Sequence, residues 1–142
     1  MIRVNAVNIS RCGFLSKKQL TRVVSSILRR FNIHDAELSI VFATDSEIRP
    51  LNKKYRQKDR PTDVLSFALG EGNILGDIVI SVERARAQAR IFGTSFKNEL
   101  ELYIIHGILH LLGYNDERPA GAKSMRRKEQ QLLNSISKVA DV

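Results

Sequence analysis

The stretch HGILHLLGYND, residues 106–116, predicts a helix at the centre of the fold and a candidate metal site at its end. His106 and His110 stand four residues apart in an apolar run, and Asp116 lies three residues beyond Gly113. Residues four apart share one side of a helix, so both imidazoles project the same way, as one tetrahedral metal ion requires. The alternative is a buried helix with two polar interruptions, because a His-x-x-x-His pair also arises by chance.

The helix that carries this pair is predicted to be central and largely buried. It begins after Ser95, which can cap it, and ends before Gly113. A polar stripe with spacings of 4, 3 and 4 interrupts its apolar surface, and we expect it to open onto a cleft: Glu99, Tyr103, His106 and His110. The remaining positions are apolar over most of the circumference, as in a buried helix: Leu100, Leu102, Ile104, Ile105, Ile108, Leu109, Leu111 and Leu112.

The residues that follow this helix supply a candidate third ligand. Gly113 lets the chain leave the helix through a left-handed turn, which returns Asp116 toward the imidazoles. Three protein ligands would leave a fourth position for water, as a catalytic zinc site requires. Gly107 stands where peptidases with an H-E-x-x-H motif have their glutamate base, so a peptidase is disfavoured.

Outward from this helix, the pattern predicts one α+β domain over residues 1–142. We expect a small mixed sheet of about four strands packed against about five helices, with the metal-site helix central. Predicted strands cover 2–9, 37–43, 63–69 and 74–82, with a hairpin turn at 70–73. Predicted helices cover 15–31, 44–55, the residues after Ser81, 95–112 and 122–137.

Three further predictions concern the caps, the continuity and the buried face of these helices. Ser16 with Gln19, and Thr44 with Glu47, have the spacing of a capping box. Pro50 lies beyond the first turn of the second helix, so that helix is expected to be short or bent. The helix after Ser81 is expected to bury Val82, Ala85, Ala89 and Phe92.

Composition narrows the class of protein. The 142 residues carry a net charge of +8 and include one cysteine, Cys12, which suits a reducing compartment. We expect a cytoplasmic protein that does not insert in a membrane, because the longest apolar runs are too short for a span and residues 1–11 lack a signal-peptide pattern.

Positive charge is clustered, which favours a nucleic-acid partner over a solvated basic surface. Residues 1–34 contain seven basic side chains and no acidic one. Residues 49–60 contain six more against one acid, Asp59.

Three segments in order resemble the YbeY family of bacterial endoribonucleases and rRNA maturation factors. HGILHLLGYND is similar to the family's H-G-x-L-H-L-x-G-Y-D-H motif. YRQKDRPTDVLSF (55–67) resembles its Y-R-x-K-D-x-P-T-D-V-L-S-F segment, and LGDIVIS (75–81) its G-D-I-x-I-S strand. Met125 and Glu129 also stand where the family has such residues, so the resemblance runs from about residue 38 to 133.

This resemblance implies a metal-dependent endoribonuclease specific for single-stranded RNA. It implies maturation of the 3′ end of 16S rRNA in the small ribosomal subunit, with that subunit and its proteins as partners. His106, His110 and Asp116 match the metal ligands, with Zn²⁺ as the implied ion, and Arg56 matches an arginine implicated in catalysis. Weaker candidates for RNA binding are the neighbouring cations Lys53, Lys54, Lys58 and Arg60.

The sequence departs from the family pattern at two places. Asp116 replaces the third histidine ligand, and Asn115 replaces the aspartate before it. Aspartate is a competent zinc ligand, but it is shorter and negatively charged, so harder ions such as Mn²⁺ become possible. Ala68 stands where the family usually has proline, a change expected to be minor.

Two other functions are compatible with the sequence. One is a metallohydrolase of another substrate, such as a peptide, although Gly107 argues against it. The other is a non-catalytic RNA-binding ribosome assembly factor whose metal is structural.

Overall fold

A mixed β-sheet forms the middle of the protein. The computed structural model describes residues 1–140, with side chains described as far as Ile136. Four strands lie within that range: β1 (Ile2–Val7), β2 (Ala36–Ala43), β3 (Val64–Glu71) and β4 (Ile74–Ser81). Their order is β1-β2-β4-β3, in which β3 alone among these described strands runs antiparallel to its neighbour. The prediction of a small mixed sheet is confirmed.

Helices surround this sheet. Over residues 1–140 there are five α-helices and a short 3-10 helix at Ile9–Cys12. None of these helices, within the described range, combines the length and apolar character needed to cross a membrane. The α-helices are α1 (Lys17–Arg29), α2 (Asp45–Arg56), α3 (Val82–Phe92), α4 (Phe96–Leu111) and α5 (Pro119–Ala140). With the sheet they make one α+β domain, as predicted.

Side-chain caps begin the first four α-helices. Ser16 and Gln19 form a reciprocal capping box at α1, and Thr44 and Glu47 form another at α2. The predicted caps of α3 and α4 are also present, because the Ser81 and Ser95 hydroxyls accept backbone hydrogen bonds from the residues three positions later. Each cap satisfies backbone N–H groups that the helix itself leaves free.

The helices differ from the predictions at two points. Of the two alternatives predicted for α2, short or bent, the helix is not short, since it runs for 12 residues from Asp45 to Arg56 with Pro50 inside it. Its capping box and the burial of Ile48 and Asn52 hold it in place. Phe92 is the last residue of α3 and is 68% exposed, so it does not join the inner face formed by Val82, Ala85 and Ala89.

The sheet separates two hydrophobic clusters, because successive strand residues point to opposite faces. On one face Leu38 and Ile40 of β2 pack with α1, α4 and α5 in the main core. On the other face Leu65 and Val79 pack against Ile48 of α2. α4 contacts β3, β4, α1, α3 and α5, so the predicted central position of this helix is confirmed.

The connection between β3 and β4 is a tighter hairpin than predicted. Glu71 still pairs with Ile74, so the loop is reduced to Gly72 and Asn73. The extra length is absorbed by a register shift between Ala68 and Glu71. Gly70 within that irregularity has a φ of 61°, a left-handed conformation that glycine adopts without steric cost.

Candidate metal centre

The last turns of α4 bring two imidazoles together at one end of the buried helix. His106 and His110 lie one turn apart, and their Nε2 atoms are 3.1 Å from each other. Their rings meet nearly edge to face, with centroids 4.6 Å apart and planes at 71°. Both side chains are partly buried. The helical spacing therefore produces the convergence that the sequence predicted.

The loop after α4 brings Asp116 to the same point. Gly113 has a φ of 100°, and the Tyr114 N–H donates to the Leu109 carbonyl, so the chain turns back across the helix end. The two Asp116 carboxylate oxygens lie 3.7 Å from His106 Nε2 and 3.7 Å from His110 Nε2. One donor atom from each of the three residues lies within 4.8 Å of the others.

This loop is held closely against the start of α5. A Cβ added to Gly121 would lie 2.2 Å from the Asn115 carbonyl oxygen. The Asn115 side chain in turn accepts a hydrogen bond from the Glu117 N–H, at 2.8 Å. Asn115, the second departure from the family motif, thus shapes the loop that positions Asp116.

Glu129 of α5 orients the first of the two imidazoles. Its carboxylate oxygen lies 2.5 Å from His106 Nδ1, and its side chain is buried. At this distance the carboxylate accepts a hydrogen bond from Nδ1–H, so in the neutral ring the Nε2 lone pair faces Asp116 and His110 and can bind a metal. The sequence placed Glu129 in the family pattern without assigning it this contact.

The surrounding charges shift the two histidines in opposite directions. Burial disfavours the imidazolium of His106, but the hydrogen bond and charge of Glu129, with Asp63 and Asp116, outweigh it and raise the His106 pKa. Burial, with the positive charges of His106 and Arg56, lowers the pKa of His110 despite the opposing charge of Asp116. Neutral His110 is the form that a metal ion binds.

The donor set fits a divalent metal. Tetrahedral zinc with ligands at about 2.0–2.1 Å separates two donor atoms by about 3.3 Å. The separations here are 3.1 Å between the imidazoles and 3.7 Å to the carboxylate oxygens, so small adjustments close the site. Two neutral imidazole nitrogens and one carboxylate oxygen are a usual zinc ligand combination.

Gly107 brings α4 against the sheet beside this site. A Cβ on Gly107 would lie 2.6 Å from Ile78 Cγ2 of β4. The Gly107 carbonyl oxygen accepts a hydrogen bond from the Ser66 hydroxyl of β3, at 3.0 Å. A glutamate therefore has no room at this position, which supports the expectation that the helix lacks a peptidase base.

The N-terminal half of the predicted polar stripe does not open onto a cleft. Glu99 is 6% exposed and accepts a hydrogen bond from the Thr94 hydroxyl at 2.7 Å. Tyr103 is 5% exposed, and burial, with the charges of Asp63 and Glu99, raises its pKa. The accessible part of the stripe is thus limited to His106 and His110, because α4 is covered along the rest of its length.

The predicted catalytic arginine influences one of the two histidines. Arg56 is the last residue of α2, and its positive charge contributes to lowering the pKa of His110. Asp63, the residue before β3, raises the pKa values of both His106 and Tyr103 through its charge. It lies in the segment YRQKDRPTDVLSF, one of the three that carry the resemblance.

The other predicted RNA-binding residues surround Arg56 at the surface. Lys53 lies 4.0 Å from Asp59, which also accepts a 2.8 Å hydrogen bond from Arg49. Lys54 lies on the last turn of α2 and Lys58 and Arg60 follow it, all with exposed side chains. These cations thus belong to one exposed basic segment that also contains Arg56.

The basic residues of α1 lie elsewhere. Phe14 packs against Phe96 at the start of α4, and Phe31 packs against Tyr114 beyond its end, so α1 runs alongside α4. Lys17 is therefore near the end of α4 that is remote from the histidines. The cations of α1 and those of residues 49–60 lie on opposite sides of the sheet, because α1 and α2 pack on opposite faces.

The chain is similar to a family model, to named proteins and to a solved structure. A family model described as Endoribonuclease YbeY matches residues 7–137. The chain is 47% identical over 127 residues to the Endoribonuclease YbeY of Anaeromyxobacter dehalogenans, covering 87% of this chain and 66% of that protein. Against the Endoribonuclease YbeY of Aquifex aeolicus it is 43% identical over 127 residues, covering 86% and 85%. A solution structure of a Thermotoga maritima protein matches with a TM-score of 0.68 at 31% identity, covering 96% of this chain and 89% of the other.

Proposed function

Because the chain belongs to the endoribonuclease YbeY family, we propose that it cleaves single-stranded RNA with a divalent metal held by His106, His110 and Asp116. It is thereby an RNA-cleaving hydrolase. The observation that carries the site assignment is that one donor atom from each of these three residues lies within 4.8 Å of the others. We propose Zn²⁺ as the ion, with Mn²⁺ admissible because Asp116 is a hard, charged ligand.

The metal would supply a Lewis acid, or an acidified water, at the open side of the three ligands. Arg56 would bind the phosphate there, because a guanidinium donates paired hydrogen bonds to phosphate oxygens and stabilises developing charge. Glu129 would keep His106 in the tautomer that leaves Nε2 free. Lys53, Lys54, Lys58 and Arg60 would attract the RNA backbone through charge.

We further propose that the substrate is rRNA, with processing of the 16S rRNA 3′ end and small-subunit proteins as partners. Family membership supports this assignment. The cytoplasm is the corresponding compartment, and the free, buried Cys12 suits it. The domain is proposed to extend over residues 1–142, of which 141 and 142 lie outside the described residues.

Two substitutions test this function. H110A removes a ligand and should abolish cleavage of a single-stranded RNA and lower the bound metal measured by elemental analysis. R56A should keep the metal and lower the cleavage rate by about 100- to 1,000-fold, the usual effect of losing one charge-stabilising donor.

Matched controls are available elsewhere in the chain. His34 is exposed, hydrogen-bonds Asn32 and is not among the three candidate ligands, so H34A should cleave like the wild type. R90A removes an exposed arginine from α3 and serves the same purpose for Arg56. Retention of full, chelator-sensitive cleavage by rigorously purified H110A and R56A would contradict the site assignment.

A further inference from the structure

An exposed aromatic ring directly precedes the candidate catalytic residue Arg56 in the chain. Tyr55 lies on the last turn of α2, directly before Arg56, and is 51% exposed. An aromatic side chain left half in water adjacent to a site is a candidate binding surface, because its flat apolar face gains by being covered.

The Tyr55 ring is held in place by packing against the sheet. Its ring packs against Phe67 of β3, with centroids 4.9 Å apart and planes at 65°. Phe67 in turn packs against the cluster that includes Leu65 and Val79, on the face of the sheet that α2 covers. Tyr55 therefore projects from two regular elements, and little ordering would be needed when a ligand covers it.

Positive charge surrounds the ring. Lys54 Nζ lies 5.1 Å from the Tyr55 centroid, and Arg56 follows it in the chain. From residue 49 to 60 the sequence has six cations and one acid, Asp59. An exposed ring flanked by cations combines the two features that single-stranded nucleic acid requires: a surface for a base and charges for phosphates.

The ring is also next in the chain to Arg56, which follows it on the last turn of α2. A base on Tyr55 would therefore lie one residue from the arginine proposed to bind the phosphate.

We propose that the Tyr55 ring is a stacking platform for one unpaired base of the RNA substrate, an inference that rests on the proposed function. Bases inside a duplex are already stacked on their neighbours and cannot cover the ring, so this contact selects single strands. It is tolerant of base identity, because every base has a flat face. Lys54 and Arg56 bind the phosphates on either side of the stacked base.

The test compares two polyanions on the full chain, in chelator to prevent cleavage. Binding of a labelled six-nucleotide single-stranded RNA is measured by fluorescence anisotropy, and inorganic polyphosphate serves as a polyanion without bases. Y55A should bind the RNA roughly 5- to 100-fold more weakly, the range for one stacked base, and bind polyphosphate like the wild type. Y55F should bind both like the wild type.

Further variants separate stacking from other causes. Y55L keeps an apolar contact with Phe67 but has no flat ring, so it should bind RNA as weakly as Y55A. F92A removes an exposed aromatic ring from α3 and should leave RNA binding unchanged. Circular dichroism checks that each variant is folded.

Three outcomes would overturn the proposal: wild-type RNA affinity in Y55A, an equal loss of RNA and polyphosphate binding, or full RNA binding by Y55L. The proposed function fails by a different measurement, since it requires that H110A lose cleavage. Loss of base-dependent binding in Y55A therefore supports the stacking platform whatever the cleavage assay shows.

Discussion

At the scale of single residues, Glu129 controls both the orientation and the protonation of His106. Its carboxylate holds the Nδ1 side of the ring, so Nε2 faces His110 and Asp116. The same contact opposes the effect of burial and raises the His106 pKa. By orienting His106, Glu129 strengthens metal binding at neutral pH. Glu129 also stabilises the imidazolium, whose proton a metal must displace, so metal binding becomes sensitive to acid.

Substituting Glu129 by glutamine tests this dual role. Loss of such a partner lowers metal affinity about 10- to 100-fold. Because the wild-type His106 pKa is raised, metal affinity should fall as the pH drops through that raised value. In E129Q the imidazolium loses its stabilising charge, so the fall should begin at a lower pH. Zn²⁺ titrations against a competing chelator between pH 5 and 8 measure both effects.

A buried carboxylate on α4 provides the control for this substitution. Glu101 is as buried as Glu129 but lies near Lys97, at the other end of the helix. E101Q should leave the metal affinity and its pH dependence unchanged. An identical pH profile for E129Q and the wild type would show that Glu129 does not govern His106.

At the scale of secondary-structure elements, the helix caps were predictable from the sequence, and the burial of the last residue of α3 was not. The caps at Ser16, Thr44, Ser81 and Ser95 follow from contacts within four residues, and all four are present. Phe92 fits the apolar period of α3, but the helix ends at the surface, so the period alone misplaces it.

The candidate site divides in the same way. The convergence of His106 and His110 follows from helical spacing alone, and Gly113 indicates the return of Asp116. Glu129, in contrast, reaches His106 from 23 residues away, and the approach of Arg56 depends on how α2 packs against the sheet. Such contacts depend on how the strands and helices are arranged in space, which the hydrophobic pattern of one sequence does not encode.

The packing of α4 on the sheet depends on Gly107. In G107A, the higher helix propensity of alanine favours α4 by up to about 1 kcal/mol. The new Cβ would lie 2.6 Å from Ile78 Cγ2, a buried atom close to the backbone. This overpacking costs about 1–3 kcal/mol, so we expect net destabilisation in urea unfolding.

A second substitution identifies the cause. I78A alone should destabilise the protein by about 2–5 kcal/mol through cavity formation. G107A in the I78A background should cost less than in the wild type, because the space for its methyl group is then available. Additive effects of the two substitutions would contradict a direct collision.

The start of α2 is joined to the 3-10 helix through Glu47. This carboxylate accepts a hydrogen bond from Arg11, at 2.5 Å, and completes the capping box with Thr44. The Arg11 hydrogen bond, with that of the Thr44 backbone, lowers the pKa of Glu47 to about 2. The ionised form is thus favoured in the folded state, and its stabilising effect is present above the ordinary pKa of 4.5.

E47Q should therefore lower the melting temperature at pH 7, and the difference from the wild type should shrink as the pH falls from about 4.5 to about 2. Added salt should also reduce it, since both side chains are partly exposed. Circular dichroism melts over this pH range measure the difference, with E71Q at the end of β3 as a charge-matched control. If the difference in melting temperature stayed constant down to pH 2, the loss of the Glu47 charge would not be the cause of the lower stability of E47Q.

At the scale of the whole molecule, the sheet divides the positive charge. The cations of residues 49–60 lie on α2 and directly after it, and α2 packs on one face of the sheet. Lys17 and Lys18 begin α1, which packs on the other face. From the sequence both regions could attract RNA, and the fold places them on opposite faces.

The salt dependence of binding tells which basic region a short RNA contacts. Each phosphate contact to a single strand contributes about 0.7 to the slope of log affinity against log salt. K53A/K58A should therefore reduce the slope for a six-nucleotide RNA by about 1.4. K17A/K18A changes the net charge by the same amount. It should leave the slope unchanged, because α1 packs on the opposite face of the sheet from α2, which carries Arg56. Anisotropy titrations between 50 and 300 mM salt measure both slopes. An equal reduction in the two variants would mean that total charge, not the surface beside the metal ligands, attracts the RNA.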